Sequence, residues 1–196
     1  MTATAAPAIP ADLMFEGHAI VSADGMIADG DGATPPGLRS DADWELFQAA
    51  LNRAVLVVLG RPAHALHPNA GRRRLVLTRS VTGLVPDPGD ADAQFWNPAD
   101  KSLPATLAAL GVTRGTVAVA GVFDYFAPYF DSFSLAECHG LVLPGGIPCF
   151  AAGHPRSVLA GIGLVPGPLR MIDAAAGVSL TQWQRVPSPL RGEGGA

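Results

Sequence analysis

The sequence predicts one α/β domain with a mostly parallel central sheet of about eight strands, flanking helices and an antiparallel edge. Two apolar runs, Ala54–Leu59 and Thr116–Ala120, are rich in β-branched residues, as expected of strands buried on both faces. Helical patterns at Ser40–Arg53 and Ser102–Leu110 precede these runs, and such alternation favours parallel strands. Consecutive strand-like runs near the C-terminus, such as Val178–Val186, favour an antiparallel edge.

The composition suits one packed domain. The 196 residues are the length of one ordinary domain, and 48% of them are hydrophobic against 15% charged. Residues 1–12 and 187–196 are rich in Pro, Gly and small side chains, so we expect flexible tails around a domain of residues 13–186. A net charge of −4 argues against a nucleic-acid partner, whose phosphates would need many Lys and Arg side chains.

The sequence carries no pattern for secretion, a membrane span or a metal site. No apolar run reaches the ~18 residues of a spanning helix, and the N-terminus lacks the basic start of a secretory signal. Cys138 and Cys149 lie in apolar stretches and are expected to be free, buried thiols. His64 and His67 share a helix face, but no carboxylate or Cys completes a metal set near them. We therefore expect a cytoplasmic protein with neither a membrane nor a metal partner.

The first elements follow from apolar runs and their punctuation. His18–Ala23 predicts a short strand that ends at the turn signal Asp24-Gly25. Asp29–Gly37 has the composition of a mobile loop. Ser40 is a typical N-cap for a helix that continues to about Arg53.

The middle of the chain repeats this alternation. Ala54–Leu59 predicts a central strand, and Pro62 suits the first turn of a helix after Gly60. Arg74–Thr78 predicts the next strand. Val81–Asp100 is polar and contains several prolines, which favours a long connection.

The last third predicts two helices and several strands. Ser102 begins a helix that Gly111 ends, and Thr116–Ala120 is the next buried strand. Phe123–Phe130 favours a helix. Later strand candidates are His139–Leu143, Leu169–Ile172 and Val178–Val186.

One stretch has the form of a phosphate-binding turn. A strand ends at Gly60, a helix begins near Arg61, and the following strand ends in the hydroxyl and guanidinium groups of residues 78–80. Free N–H groups at a helix start and arginine forks both suit a phosphate. The alternative is an ordinary α/β turn with surface arginines.

An acid on the first helix is the second chemical feature. Asp43 stands four residues before Phe47, so both project from one helix face. A carboxyl on an inward face can accept hydrogen bonds from a ligand or relay a proton. The alternative is that Asp41 and Asp43 are ordinary acids of a first helical turn.

These segments resemble the dihydrofolate reductase family, including the reductase half of bacterial riboflavin-pathway enzymes. The family's Gly-Arg turn and its strand ending in Ser/Thr-Arg match Gly60-Arg61 and Leu77–Ser80. Val117–Phe126 resembles the family's strand, glycine turn and short helix. Ser22–Ala28 resembles the Ser-Leu-Asp-Gly-x-Ile-Ala opening of the riboflavin branch.

The resemblance implies a dihydrofolate reductase-like fold that binds NADPH at the ends of its strands. It implies Asp43 as the catalytic acid, and Asp43, Phe47 and Asp24 as substrate-binding residues. It also implies that Asp29–Gly37 closes over the nicotinamide as a lid. The cofactor-binding residues that it implies are Ala23, Gly60, Arg61, Thr78, Arg79, Ser80, Ala120, Gly121, Val122 and Phe123.

The leading hypothesis is therefore an NADPH-dependent reductase of a pterin-like or pyrimidine-like small molecule. A second hypothesis is a non-catalytic binding or assembly protein, which Ala63 and Ala120 favour because they replace a hydroxyl and a glycine of the family pattern. A third is a 5-amino-6-ribosylaminouracil-type reductase of riboflavin synthesis. The resembled branch also implies a possible homodimer.

Overall fold

A computed structural model describes residues 8–67 and 69–186; the remainder of both predicted tails lies outside the described residues. The strands are β1 (Leu13–Ser22), β2 (Met26–Ala28), β3 (Leu56–Gly60), β4 (Arg74–Leu77), β5 (Leu84–Asp87), β6 (Asp90–Trp96), β7 (Gly115–Ala120), β8 (Phe130–Cys138), β9 (Ile147–Pro148), β10 (Leu164–Pro166), β11 (Arg170–Asp173) and β12 (Val178–Arg185). The α-helices are α1 (Asp41–Arg53), α2 (Arg61–Leu66), α3 (Leu103–Leu110), α4 (Phe123–Phe126) and α5 (Pro155–Gly161).

The predicted sheet architecture is confirmed. In the described part of the chain, ten strands form one sheet in the order β10-β12-β8-β1-β7-β3-β4-β6-β5, with β11 also paired to β12. All neighbours from β8 to β6 in this order are parallel, whereas β12 and β5 add antiparallel edges. Strands β2 and β9 pair with each other outside the main sheet.

The central strands are buried on both faces, as their continuous apolar runs predict. On β3, Leu56 and Val58 pack into the main core, whereas Val57 and Leu59 pack with Leu51 of α1. Each such side chain contributes roughly 1.5–3 kcal/mol by leaving water. Burial on both faces is therefore what keeps α1 against this half of the sheet.

Capping residues mark the starts of two helices, and the end of one of them, where the sequence predicts. The Ser40 hydroxyl accepts a hydrogen bond from the Asp43 amide, and the Ser102 hydroxyl accepts one from the Ala105 amide. Gly111 ends α3 with a φ of 65°, a left-handed conformation that costs other residues free energy.

Three local predictions were wrong. His139–Leu143 is a turn, and the preceding strand β8 instead begins at Phe130, which also shortens the helix predicted for Phe123–Phe130. β8 was not predicted because it contains serines, which are uncommon in a buried strand. In the structure the Ser134 hydroxyl donates a hydrogen bond to Gln182 of β12, so its polar group is satisfied within the sheet. The polar connection Val81–Asp100 contains the antiparallel pair β5 and β6.

A buried arginine joins the neighbouring strands β4 and β6. Arg74 of β4 has no exposed surface, and its Nη2 donates to Asp90 Oδ1 of β6 at 2.6 Å. Its Nε donates to the Arg72 carbonyl oxygen at 2.8 Å. The hydrogen bond from Arg74 holds the pKa of Asp90 below its ordinary 3.8.

We expect the Asp90→Asn variant to lose stability in a pH-dependent manner. A carboxyl whose pKa is lowered by folding stabilises the fold above its ordinary pKa and stops doing so as the pH falls through the folded value. The variant should therefore unfold at lower urea concentration than the wild type near neutral pH, and the gap should narrow below about pH 4. Urea unfolding curves across this pH range measure the difference in midpoint, with Asp92→Asn on the same strand as control. A difference in midpoint that does not change with pH would contradict the expectation.

Among the helices that the structure describes, none has both the length and the apolar character needed to span a bilayer.

Candidate functional site

A cleft opens where two parallel strands part. β1 pairs with β7 as far as Gly17 opposite Val119, but with β8 as far as Ser22 opposite Cys138. Beyond Gly17 the chain of β7 turns away at Gly121, which leaves a gap beside β1. The resulting cleft measures about 770 Å³, and its walls include His18, Ala19 and Ile20 of β1, Ser40, Asp43 and Phe47, the loop residues Gly32–Thr34, and Ala120, Gly121 and Phe123.

One wall of the cleft is the first turn of α1. Asp43 is only 5% exposed, although it belongs to a helix start whose acids are usually solvated. Its Oδ1 lies 3.0 Å from Nε2 of His18, which is 8% exposed. Phe47 lies one turn further along α1, with its ring centroid 5.0 Å from that of His18. The structure thus brings Asp43 and Phe47 to one cleft wall, together with a histidine that sequence reasoning missed.

His18 had one weak signal in the sequence. It is the imidazole in a run of small and apolar residues, HAIVSA, at a position that alternates in phase with Ile20. Alternation alone does not say which face of a strand is a cleft, so the sequence did not distinguish a site residue from a core histidine.

A second part of the cleft wall is the turn after β7, at Ala120 and Gly121. Gly121 has a φ of +78°, which favours glycine, and a Cβ built there would meet no atom within 4 Å. The space above this turn is therefore open to a ligand. Ala120 precedes it as the last residue of β7, and among the described non-glycine residues only Asn69 has a positive φ. Alanine at position 120 thus carries no left-handed backbone strain.

The predicted turn at Gly60 lies beside the turn at Gly121. β3 pairs with β7 up to Leu59 opposite Ala120, so the two strands end together. A Cβ on Gly60 would lie 3.3 Å from Val122 Cγ1, which means that the Val122 side chain packs against the Gly60 backbone. The helix after Gly60, α2, has six residues.

A polar cluster continues from this turn along the sheet edge. Arg61 Nη1 donates to the Ser80 hydroxyl at 3.0 Å, and the hydroxyls of Ser80 and Thr78 are 2.7 Å apart. The Arg61 guanidinium also lies over the Phe95 ring, 5.3 Å from its centroid. Arg79 is exposed next to them. The cluster arises because Gly60 and Leu77 are register partners on β3 and β4.

Ala23 and Asp24 lie away from the cleft walls. The Asp24 carboxylate accepts hydrogen bonds from the Ser22 hydroxyl at 2.5 Å and from the Leu143 amide at 3.0 Å. The Ser22 hydroxyl holds the pKa of Asp24 below its usual value. The Ala23 amide donates to the Leu141 carbonyl oxygen. Both residues thus fasten the end of β1 to the loop after β8.

The expected lid is anchored at both ends. At its start β2 pairs with β9, and at its end Leu38, which is 1% exposed, packs with Cys138 and Leu180. Between them the Asp29 carboxylate accepts hydrogen bonds from the Asp31 and Ala33 amides. Movement over the cleft would therefore involve the short stretch from residue 29 to residue 35.

Other reactive groups offer no second chemistry in the described residues. Burial raises the pKa of the Cys138 thiol to about 11 and raises that of Cys149 further, so neither is a thiolate at neutral pH. His64 pairs with Asp87 at 2.9 Å, and residues 8–67 and 69–186 contain no group of three metal-ligating side chains.

The sequence matches no protein-family model and no curated protein. The structure is similar to a pyrimidine reductase-like protein from Corynebacterium diphtheriae, with 14% identity, a TM-score of 0.61, and 89% and 92% of the two chains covered. It is similar to Enterococcus faecalis dihydrofolate reductase complexed with NADP(H), with 20% identity, a TM-score of 0.58, and 88% and 96% covered.

A third similar structure is the diaminohydroxyphosphoribosylaminopyrimidine deaminase/5-amino-6-(5-phosphoribosylamino)uracil reductase of Thermotoga maritima, with 14% identity and a TM-score of 0.60. The alignment covers 89% of the present chain, which spans 57% of the Thermotoga protein. At these identities the likeness establishes the fold. The chain has the predicted dihydrofolate reductase-like fold, as riboflavin-pathway reductases do.

Proposed function

We propose that this protein is a reductase that uses NADPH to reduce a pyrimidine-like or pterin-like ring bound in the cleft. The observation that carries the proposal is the cleft itself, whose lining includes both a buried carboxylate, Asp43, and the open turn at Gly121. A ring held on Asp43 would lie between the two walls, next to the strand ends where open α/β sheets bind ligands. The fold shared with known reductases supports the same function.

The described residues fit the dinucleotide. The turn at Gly121 has room for the close backbone approach that a pyrophosphate or nicotinamide requires. Arg61, with the hydroxyls of Thr78 and Ser80, would bind the 2′-phosphate, because a guanidinium and two hydroxyls supply several donors at one point. Arg79, exposed beside them, adds a second positive charge.

Reduction of a C=N or C=O bond needs a hydride on carbon and a proton on the heteroatom. Bound NADPH supplies the hydride. As a carboxylate, Asp43 would orient the ring by accepting an N–H hydrogen bond, and in its protonated form it would supply the proton that the heteroatom receives. Phe47 and Phe123 would cover the ring and exclude water, which strengthens the hydrogen bond to Asp43.

The test is NADPH oxidation, followed by its absorbance, against a panel of dihydropterins and pyrimidines that includes 5-amino-6-ribosylaminouracil. We expect turnover with at least one ring of the panel. Failure to bind NADPH at millimolar concentration would contradict the proposal and support the non-catalytic binding protein instead.

We expect the Arg61→Ala variant to bind NADPH about tenfold or more weakly, and NADH within about twofold of the wild type. The reason is that only NADPH carries the 2′-phosphate that the guanidinium would bind. Fluorescence titration of both nucleotides measures the two dissociation constants, with Arg53→Ala at the far end of α1 as control. Equal losses for both nucleotides would remove Arg61 from the 2′-phosphate site.

A further inference from the structure

We infer that His18 decides which heterocycles the cleft accepts, because it occupies one of the two carboxylate oxygens of Asp43. In this arrangement the cleft disfavours rings that present two adjacent N–H donors, as 2-amino-4-oxopyrimidines and ring-protonated 2-aminopyrimidines do. It favours rings that present one donor to the remaining oxygen, and so narrows the proposed function from pterin-like rings, which carry the two-donor edge, to pyrimidine-like rings with a single donor. The inference rests on the proposed function, since it takes the cleft as the substrate site.

The contact between His18 and Asp43 is short and shielded from water. Nε2 and Oδ1 are 3.0 Å apart, and both residues are more than nine-tenths buried. A carboxylate accepts hydrogen bonds only, so the ring nitrogen is the donor. In a buried site neither partner can exchange this bond for water without cost.

The imidazole is also held in place from several sides. His18 belongs to β1, where it is the register partner of Ser134 on β8. Phe47 lies against its ring at a centroid distance of 5.0 Å, and Trp44 lies against Phe47 at 5.8 Å. A ligand therefore cannot displace the imidazole from Asp43 without disturbing the wall formed by α1.

A two-donor aminopyrimidine edge needs both oxygens of Asp43 free, and His18 leaves only one of them free. When its ring nitrogen carries a hydrogen, as in the 2-amino-4-oxo form or the ring-protonated 2,4-diamino form, that nitrogen and the amino group present two coplanar N–H donors. The two donors match the two oxygens of one free carboxylate. Here the donor aimed at Oδ1 would meet the imidazole, and a buried donor left without an acceptor is costly. A ring with a single donor can use Oδ2 and avoids that cost.

Among the described residues that line the cleft, no other acid replaces the occupied oxygen. Asp41 also lines the cleft, but it is exposed at the rim, where water competes for its hydrogen bonds. Asp173 accepts a hydrogen bond from the Ser40 hydroxyl on the far side of the helix start. Arg39, the cation nearest to this wall in the sequence, donates to the Thr34 carbonyl oxygen.

The test measures binding of 2,4-diaminopteridine by calorimetry to the wild type, His18→Val and His18→Gln. Valine removes the donor and frees both oxygens of Asp43, whereas glutamine keeps an N–H donor near Oδ1. We expect His18→Val to bind the probe about tenfold or more tightly than the wild type, and His18→Gln to remain within about threefold of it. Adding Asp43→Asn to His18→Val should abolish the gain.

Binding no tighter in His18→Val than in the wild type, or an equal gain in His18→Gln, would overturn the inference. Thermal melts of each variant show that the compared proteins are folded. NADPH binding to the same proteins separates the two proposals. If NADPH binds but His18→Val does not bind 2,4-diaminopteridine more tightly, only the inference about His18 is wrong. If His18→Val binds 2,4-diaminopteridine more tightly but NADPH does not bind, only the proposed reductase activity is wrong.

Discussion

Replacing Asp43 with Asn should reduce turnover in the proposed NADPH-dependent reaction about 100-fold or more, because general acid–base groups contribute roughly 10²–10⁴-fold to such reactions. Asparagine has nearly the same shape, and its carbonyl oxygen can still accept the hydrogen bond from His18. The variant therefore keeps the packing of the cleft wall, but its side chain can neither take up and release a proton nor carry a negative charge. Steady-state NADPH oxidation with the best ring of the panel measures the loss.

The matched control for Asp43 is Asp41→Asn in the same helical turn. Asp41 is exposed, whereas Asp43 is buried, so the two carboxylates share the helix dipole but not the buried hydrogen bond to His18. We expect the Asp41→Asn variant to keep turnover within about twofold of the wild type. Equal effects of the two substitutions would mean that both acids serve only the start of α1.

Replacing Gly17 with Ala should destabilise the fold by about 3 kcal/mol and lower the melting temperature by about 10 °C. Gly17 of β1 is the register partner of Phe133 on β8, and the Phe133 ring covers it. An added Cβ would collide with that ring and would lie 3.0 Å from Phe130 Cε1. Both phenylalanines are fully buried in the main core, so neither can move aside into solvent.

Gly140→Ala is the control for this steric effect. A Cβ at that exposed turn would meet no atom within 4 Å, and we expect its stability to stay within about 0.5 kcal/mol of the wild type. Thermal and urea unfolding of the two variants compare them directly. A Gly17→Ala protein as stable as Gly140→Ala would mean that the β1–β8 core is far more plastic than its packing indicates.

Several elements could be predicted from the sequence because their signals are local. Ser40 and Ser102 cap their helices within one turn, and Gly111 ends α3 at a left-handed residue. The apolar run Ala54–Leu59 predicts a strand buried on both faces, and β3 is such a strand. The alternation of such strands with helices was sufficient to predict a mostly parallel sheet.

Elements whose signals depend on partners were missed. β8 contains a buried serine, Ser134, whose hydroxyl is satisfied within the sheet because Gln182 accepts its hydrogen bond across the strands. β5 and β6 stabilise each other as an antiparallel pair at the edge, in a segment whose prolines favoured a connection. The burial of Arg74 was not predicted either, because its partner Asp90 lies 16 residues away in the sequence.

The sequence by itself determined the fold class, the ends of α1 and α3, and the position of one acid on the inward face of α1. The tertiary structure alone decided that β1 outlasts β7, that a cleft opens there, and that His18 meets Asp43 across 25 residues of chain. The physical reason is distance along the chain. Caps and hydrophobic periods act within a few residues, whereas a pairing register and a buried hydrogen bond exist only after distant segments have packed together.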